Sequence, residues 1–133
     1  LSRYHVFPYL HEEMGAALAA ADLAVCRAGA STLGELPHFG LPAILVPYPY
    51  AWRYQKVNAD YLASRGAAVI VENDRLADEL LPTVSQLMAD QHHLGLMRKA
   101  MLDLAQPHAA EKIANLLREL AQSHAQKGGV TTW

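Results

Sequence analysis

Leu23-Ala24-Val25-Cys26-Arg27-Ala28-Gly29-Ala30-Ser31-Thr32-Leu33-Gly34-Glu35 changes character halfway along. Leu23 to Cys26 is a short apolar run of the kind that forms a buried strand, and Arg27-Ala28-Gly29 stops it. Helical spacing begins near Thr32 and runs to Phe39, where Gly40 supplies a left-handed stop. A strand leading through a short loop into a helix is half of a βαβ unit, and such units build parallel sheets.

The alternation continues on both sides. Tyr4 to Phe7 reads as a strand ended by Pro8, and Glu12 to Ala21 as a helix with Met14, Ala17, Leu18 and Ala21 on one face. Ala43 to Val46 is another strand, ended by Pro47. Tyr54 to Ser64 is helical and Ala67 to Val71 is a fourth strand. Everything beyond is helical. Leu76, Leu80, Leu81, Val84, Leu87 and Met88 share a face, with Asp74 expected as N-cap and Pro82 tolerable only in the first turn. A segment from about His93 to Leu104 follows, then a last helix carrying Ile113, Leu116, Leu117 and Leu120. The expectation is an α/β fold: a parallel sheet of about four strands with helices on both faces, over residues 1–125. Gly128-Gly129 marks residues 126–133 as a flexible tail.

At 133 residues the chain suits one domain, and 52% apolar residues are ample for its core. Charged residues, at 18%, fall below the usual quarter, which fits a surface partly covered by another domain or partner. Net charge is −2 with Lys and Arg scattered, so a nucleic-acid interface is not expected. Cys26 is the only cysteine, which excludes an internal disulfide and a thiolate zinc cluster and fits a reducing compartment. The seven histidines are dispersed, so no metal site is expected, and no nucleophile motif is present. Residues 36–52 lack charge but contain Pro37, Pro42, Pro47 and Pro49, which rules out a membrane helix. No basic-then-apolar leader opens the chain, and Leu1 in place of methionine reads as the start of a piece of a longer protein.

Ligands of open parallel sheets bind beyond the carboxyl ends of the strands. Two loops there have unusual compositions. In the first, Gly29 and its alanine neighbours remove bulk, and Ser31 and Thr32 open a helix whose free N–H groups favour a phosphate. Glu35, one turn on, offers two acceptor oxygens to a ribose diol. A second reading of the same residues needs no ligand: Thr32-x-x-Glu35 is a capping box. In the second loop, Tyr48 to Trp52 is rigid and aromatic, suited either to stacking on a sugar or base or to filling the core. Gln55 and Asn58, three apart on the helix that follows, suit sugar hydroxyls and an acetamido group, or are ordinary surface amides.

Read together, these segments resemble a known family. Met14-(x)6-Ala21-Asp22-Leu23-(x)3-Arg27-Ala28-Gly29-Ala30-Ser31-Thr32-(x)2-Glu35 is similar to the signature of the MurG-type glycosyltransferases. Gly40-Leu41-Pro42-Ala43-Ile44-Leu45-Val46-Pro47-Tyr48-Pro49 and Gln55-(x)2-Asn58-Ala59 continue it, over roughly residues 6–122. The resemblance implies the C-terminal, Rossmann-like domain of a GT-B architecture, holding UDP-N-acetylglucosamine as donor. The acceptor would be a lipid-linked muramyl peptide, met through an N-terminal domain that also carries the attachment to the inner face of the cell membrane. No cofactor and no essential metal are implied. Glu35 would hold the ribose, and Gly29, Ala30, Ser31 and Thr32 would lie at the diphosphate. Gln55, with Asn58 nearby, would meet the sugar, while Leu10 and Met14 would line the uracil pocket. The family often has a second glutamine where this chain has Tyr54, and around His11 the chain carries one extra residue. The family's candidate base belongs to the N-terminal domain, so no catalytic residue is assigned here. A binding subunit of a split transferase, a lipid galactosyltransferase, a UDP-sugar epimerase and a plain α/β domain without a ligand site are the alternatives.

Overall fold

The computed structural model describes residues 3–50 and 54–127. Three short strands, β1 (Ala24–Cys26), β2 (Ala43–Leu45) and β3 (Ala68–Ile70), form one parallel sheet in the order β1-β2-β3. Ala24 stands opposite Ala43, and Ala43 opposite Ala68. The helices are α1 (Met14–Ala20), α2 (Thr32–Phe39), α3 (Tyr54–Ala63), α4 (Leu76–Ala89), α5 (Gln91–Asp103) and α6 (Ala109–Lys127). A 3-10 turn, Asn73–Arg75, precedes α4.

Strand alternation divides the core into two layers. Ala43 and Leu45 point into one cluster with Leu36 of α2, Ala59 and Leu62 of α3 and Met101 of α5. Ile44, between them, points the other way, with Val71, Leu87, Leu94 and Met97. Helices thus cover both faces, α2 and α3 on one and α4 on the other, with α5 contributing to each. All of Leu41 to Pro47 is buried, which explains why that stretch needs no charge.

The expected α/β class is observed, with differences in detail. Tyr4 to Phe7 forms no strand: it has no pairing partner, and Tyr4, Val6 and Phe7 are 74, 72 and 63% exposed. Apolar alternation marks a strand only where an edge is available to receive it. Asp74 does not cap α4, because it lies inside the 3-10 turn and Arg75 occupies the cap position. Pro82 sits beyond the first turn of α4. Its missing N–H and ring clash carry a penalty of ~3 kcal/mol. Burial of Leu80, Val84 and Leu87 on the same helix, at roughly 1.5–3 kcal/mol for each fully buried side chain, offsets it. The freed carbonyl four residues back belongs to exposed Asp78. The helical backbone of α6 includes residues 126 and 127, which the sequence pattern assigns to a tail; residues 128–133 and Trp52 lie outside the described residues.

Gly40 ends α2 at φ 58° and ψ 35°, with its N–H on the carbonyls of Leu36 and Pro37. A Cβ there would fall 2.6 Å from Leu102 Cγ, whereas at Gly66, φ 74°, it would meet nothing. Gly66→Ala is therefore expected to cost about 1–2 kcal/mol for the left-handed backbone alone. Gly40→Ala should cost about 2–3 kcal/mol, since half-exposed Leu102 can partly turn away. Urea midpoints of the full-length variants measure both, and equal losses would remove the steric argument.

Candidate functional site

The ends of all three strands are tied together by one side chain. Arg27 follows β1 directly, and its Nη1 donates to the carbonyl of Val46 beyond β2 at 3.1 Å. The same nitrogen donates to Asn73 Oδ1 beyond β3 at 2.7 Å. The guanidinium carbon also sits 5.4 Å from the ring centroid of Tyr48, in cation–π range.

Beyond Arg27 the loop turns its carbonyls toward the protein. Thr32 Oγ1 donates to the Arg27 carbonyl at 3.1 Å, and Asn58 Nδ2 on α3 donates to the Ala28 carbonyl at 3.0 Å. The carbonyls of Ala30 and Ser31 accept from Leu33, Gly34 and Glu35 as α2 begins. Among the described residues, the N–H groups of Gly29, Ala30, Ser31 and Thr32 donate to nothing. Four donors without a partner at a helix start can serve as an anion cradle. Gly29 has an ordinary φ, and a Cβ on it would meet no atom of the chain within 4 Å. Nothing among the described residues requires glycine there.

The capping-box reading is overturned. Ser31, not Thr32, stands at the cap position with helical φ −60° and ψ −33°, and no side chain caps the helix. Thr32 is inside α2, buried, with its hydroxyl turned back to Arg27. Glu35 is exposed and, among the described residues, has no hydrogen-bond or ion-pair partner. Its carboxylate lines an open depression of about 600 Å³ together with Leu10, Met14, Tyr9, His11 and Glu12. Tyr9 and His11 lie ring to ring there at 4.4 Å.

Gln55 and Asn58 have braces to hold. Gln55 Oε1 accepts the Tyr48 N–H at 2.8 Å, which leaves its amide NH2 unpaired among the described residues. Asn58 spends an N–H on the cradle loop. The structure thus joins Gly29 to Thr32 with Asn58, and Leu10 and Met14 with Glu35, while Gln55 belongs to the aromatic loop. Tyr48 and Tyr50 are 47 and 81% exposed, so they do not fill the core. They flank a second depression of about 520 Å³ with Lys56, Glu72, Asn73 and Asp74. Residue patterns alone miss Arg27, Asn73, Tyr9 and His11; the position of Arg27 at a strand's carboxyl end is the one signal that points to it. Among the described residues no group of three metal-ligating side chains occurs, and no helix is long and apolar enough to cross a membrane.

In a parallel α/β sheet of this kind, the region beyond the carboxyl ends of the strands, where the loop and Glu35 lie, is the usual place for a ligand. Residues 1–120 match the model of the glycosyltransferase family 28 C-terminal domain, and the chain belongs to that family. It is 47% identical to the UDP-N-acetylglucosamine–N-acetylmuramyl-(pentapeptide) pyrophosphoryl-undecaprenol N-acetylglucosamine transferase of Roseiflexus sp. (strain RS-1), over 89% of this chain and 31% of that protein. The protein of the same name from Desulforudis audaxviator is 46% identical over 87% of this chain and 31% of its own length. The crystal structure of Acinetobacter baumannii MurG superposes with a TM-score of 0.78 at 34% identity, covering 86% of this chain and 33% of that one. The chain therefore spans about a third of the length of the curated relatives it matches.

Cys26, at the end of β1 beneath the cradle, reports on Glu35. Burial pushes its thiol above the ordinary range, a hydrogen bond with Thr32 pulls it partly back, and the Glu35 charge raises it further. The thiolate is the reactive form, so iodoacetamide labelling of Cys26 should be slow at pH 7.5 and climb about tenfold per pH unit above it. Glu35→Gln removes one raising contribution and should speed labelling at fixed pH. Peptide mass spectrometry of the labelled full-length protein measures the rate, and an unchanged rate would separate the two residues.

Proposed function

We propose that this chain is the donor-binding part of a hexosyltransferase that moves N-acetylglucosamine from UDP-N-acetylglucosamine to a lipid-linked muramyl-peptide acceptor in peptidoglycan synthesis. The unpaired N–H groups from Gly29 to Thr32 carry this reading. They suit a diphosphate, and the free carboxylate of Glu35 one turn along suits the adjacent hydroxyls of a ribose. Leu10 and Met14, in the same depression as Glu35, are proposed to border the uracil. The unpaired amide of Gln55 is proposed to meet the sugar, with Asn58 acting mainly as a brace of the cradle. Names of the relatives, all N-acetylglucosamine transferases of one kind, support the donor and the acceptor.

In the reaction, the chain's contribution is to bind and orient. Contacts to diphosphate and ribose fix the anomeric carbon of the sugar against the acceptor hydroxyl. As the glycosidic bond breaks, negative charge collects on the departing UDP, and fixed N–H dipoles stabilise it without reorganising. The base that accepts the acceptor's proton belongs to the rest of the protein, as do the acceptor site and a peripheral attachment at the inner membrane face.

Two substitutions in the full-length protein test this reading. Glu35 touches no protein partner, so Glu35→Ala should leave the melting temperature in place while weakening UDP roughly 10- to 100-fold, the range for hydrogen bonds to a charged group. A Cβ at Gly29 meets nothing in the chain but would enter the space of a diphosphate. Gly29→Ala should therefore keep its stability and lose UDP affinity. Calorimetric titration showing parental UDP affinity in both variants would refute the proposed site.

A further inference from the structure

We propose that Asn73 is a positioning residue for the donor site, acting through Arg27, and that a neutral amide is used there so that Arg27 is held without losing its charge. The proposal rests on the donor-site reading above. Nη1 of Arg27 has two protons, and both are committed: one to the Val46 carbonyl, one to Asn73 Oδ1 at 2.7 Å. One nitrogen thereby fixes the ends of β1, β2 and β3 relative to each other. What hangs from these ends is the site itself. Ala28, next to Arg27, opens the cradle and is braced by Asn58. Tyr48, two residues beyond Val46, lies against the guanidinium and passes its N–H to Gln55.

The acceptors of Arg27 are both uncharged. Among the described residues no carboxylate lies within 4.0 Å of it, although Glu72 and Asp74 stand on either side of Asn73 in the chain. Glu72 pairs with Lys56 instead. A full positive charge therefore remains beside a cradle shaped for an anion. A carboxylate at residue 73 would keep the hydrogen bond and cancel that charge; an apolar residue would keep the charge and release the hydrogen bond. Both should impair the site, for separable reasons.

Asn73→Asp and Asn73→Ala are compared with the parent and with Glu35→Ala in the full-length protein, by UDP titration at low and high salt and by thermal melting. Asn73→Asp is expected to melt no lower than the parent yet to bind UDP about fivefold more weakly, with the deficit shrinking at high salt as the ion pair is screened. Asn73→Ala is expected to weaken UDP about five- to tenfold with a deficit that salt does not shrink, because a hydrogen bond to a charged group is lost. A merely structural role predicts parental affinity in both variants, with a lowered melting temperature in Asn73→Ala alone. Parental UDP affinity in Asn73→Asp at low salt overturns the proposal, as does parental affinity in Asn73→Ala. If Glu35→Ala has meanwhile lost UDP, the donor-site reading stands without it; if Glu35→Ala also binds normally, the donor-site reading has failed first.

Discussion

Backbone polar groups must be paired when they leave water, and the loop between β1 and α2 meets that demand in a one-sided way. Its carbonyls at Arg27, Ala28, Ala30 and Ser31 are taken by Thr32, Asn58 and the first turn of the helix. Its N–H groups are not consumed by anything in the described chain. A loop that merely connected a strand to a helix would gain from a side-chain cap, typically worth ~1 kcal/mol, and Ser31 and Thr32 are residues that could supply one. Neither does. Thr32 is instead buried, with its hydroxyl on the Arg27 carbonyl, and the donors have no partner among the described residues. On the proposed reading, an anion bound at these donors would restore the stabilisation forgone by leaving the cap unmade.

The same loop explains how distant parts of the chain bear on one another. Parallel strands present their carboxyl ends together, so a side chain placed there can reach the next two strand ends in one step. Arg27 does so, with Val46 and Asn73 as acceptors and Tyr48 across its face. Asn58 adds a second tie from α3 to the cradle. Short strands of three residues hold few ladder hydrogen bonds of their own. With so little sheet, side-chain ties at the strand ends carry a larger share of the geometry than they would in a longer one.

Much of this fold is readable from residue patterns because local and tertiary preferences agree. The bounds of α2 follow from its period and from Gly40, and the buried run from Leu41 to Pro47 has no charge to place. Where they disagree, the packing wins: Pro82 is carried inside α4 because Leu80, Val84 and Leu87 of that helix are packed in the core. Tyr4 to Phe7 has the alternation of a strand but no edge to join. For the site, the types and spacing at Gly29 to Thr32 and Glu35 are legible, but the choice between capping box and cradle is not. That choice depends on which way the Thr32 hydroxyl turns, and the turn is set by burial beneath the Arg27 carbonyl. Arg27 and Asn73 are illegible for a different reason, since a contact over 46 residues leaves no local trace.

If the site holds a nucleotide-sugar, as proposed, backbone donors and side-chain acceptors divide its recognition in a way that bears on specificity. N–H groups from Gly29 to Thr32 see charge and shape, and any diphosphate of suitable reach satisfies them. Discrimination must then come from groups that can be left unpaired by the wrong ligand, because a buried polar group without its partner costs about 1–3 kcal/mol. Glu35, exposed and without a partner among the described residues, would become such a group only once a ligand covers it, and is proposed to be one for the pentose. Gln55 is a weaker one for the sugar, since its oxygen is already committed to Tyr48 and only its NH2 is left to choose. Tyr54, next to it and 73% exposed, has a single hydroxyl on a rigid ring in place of a second amide. On the proposed reading, then, the nucleotide would be the tightly specified half of the donor, and the hexose would be read with fewer groups.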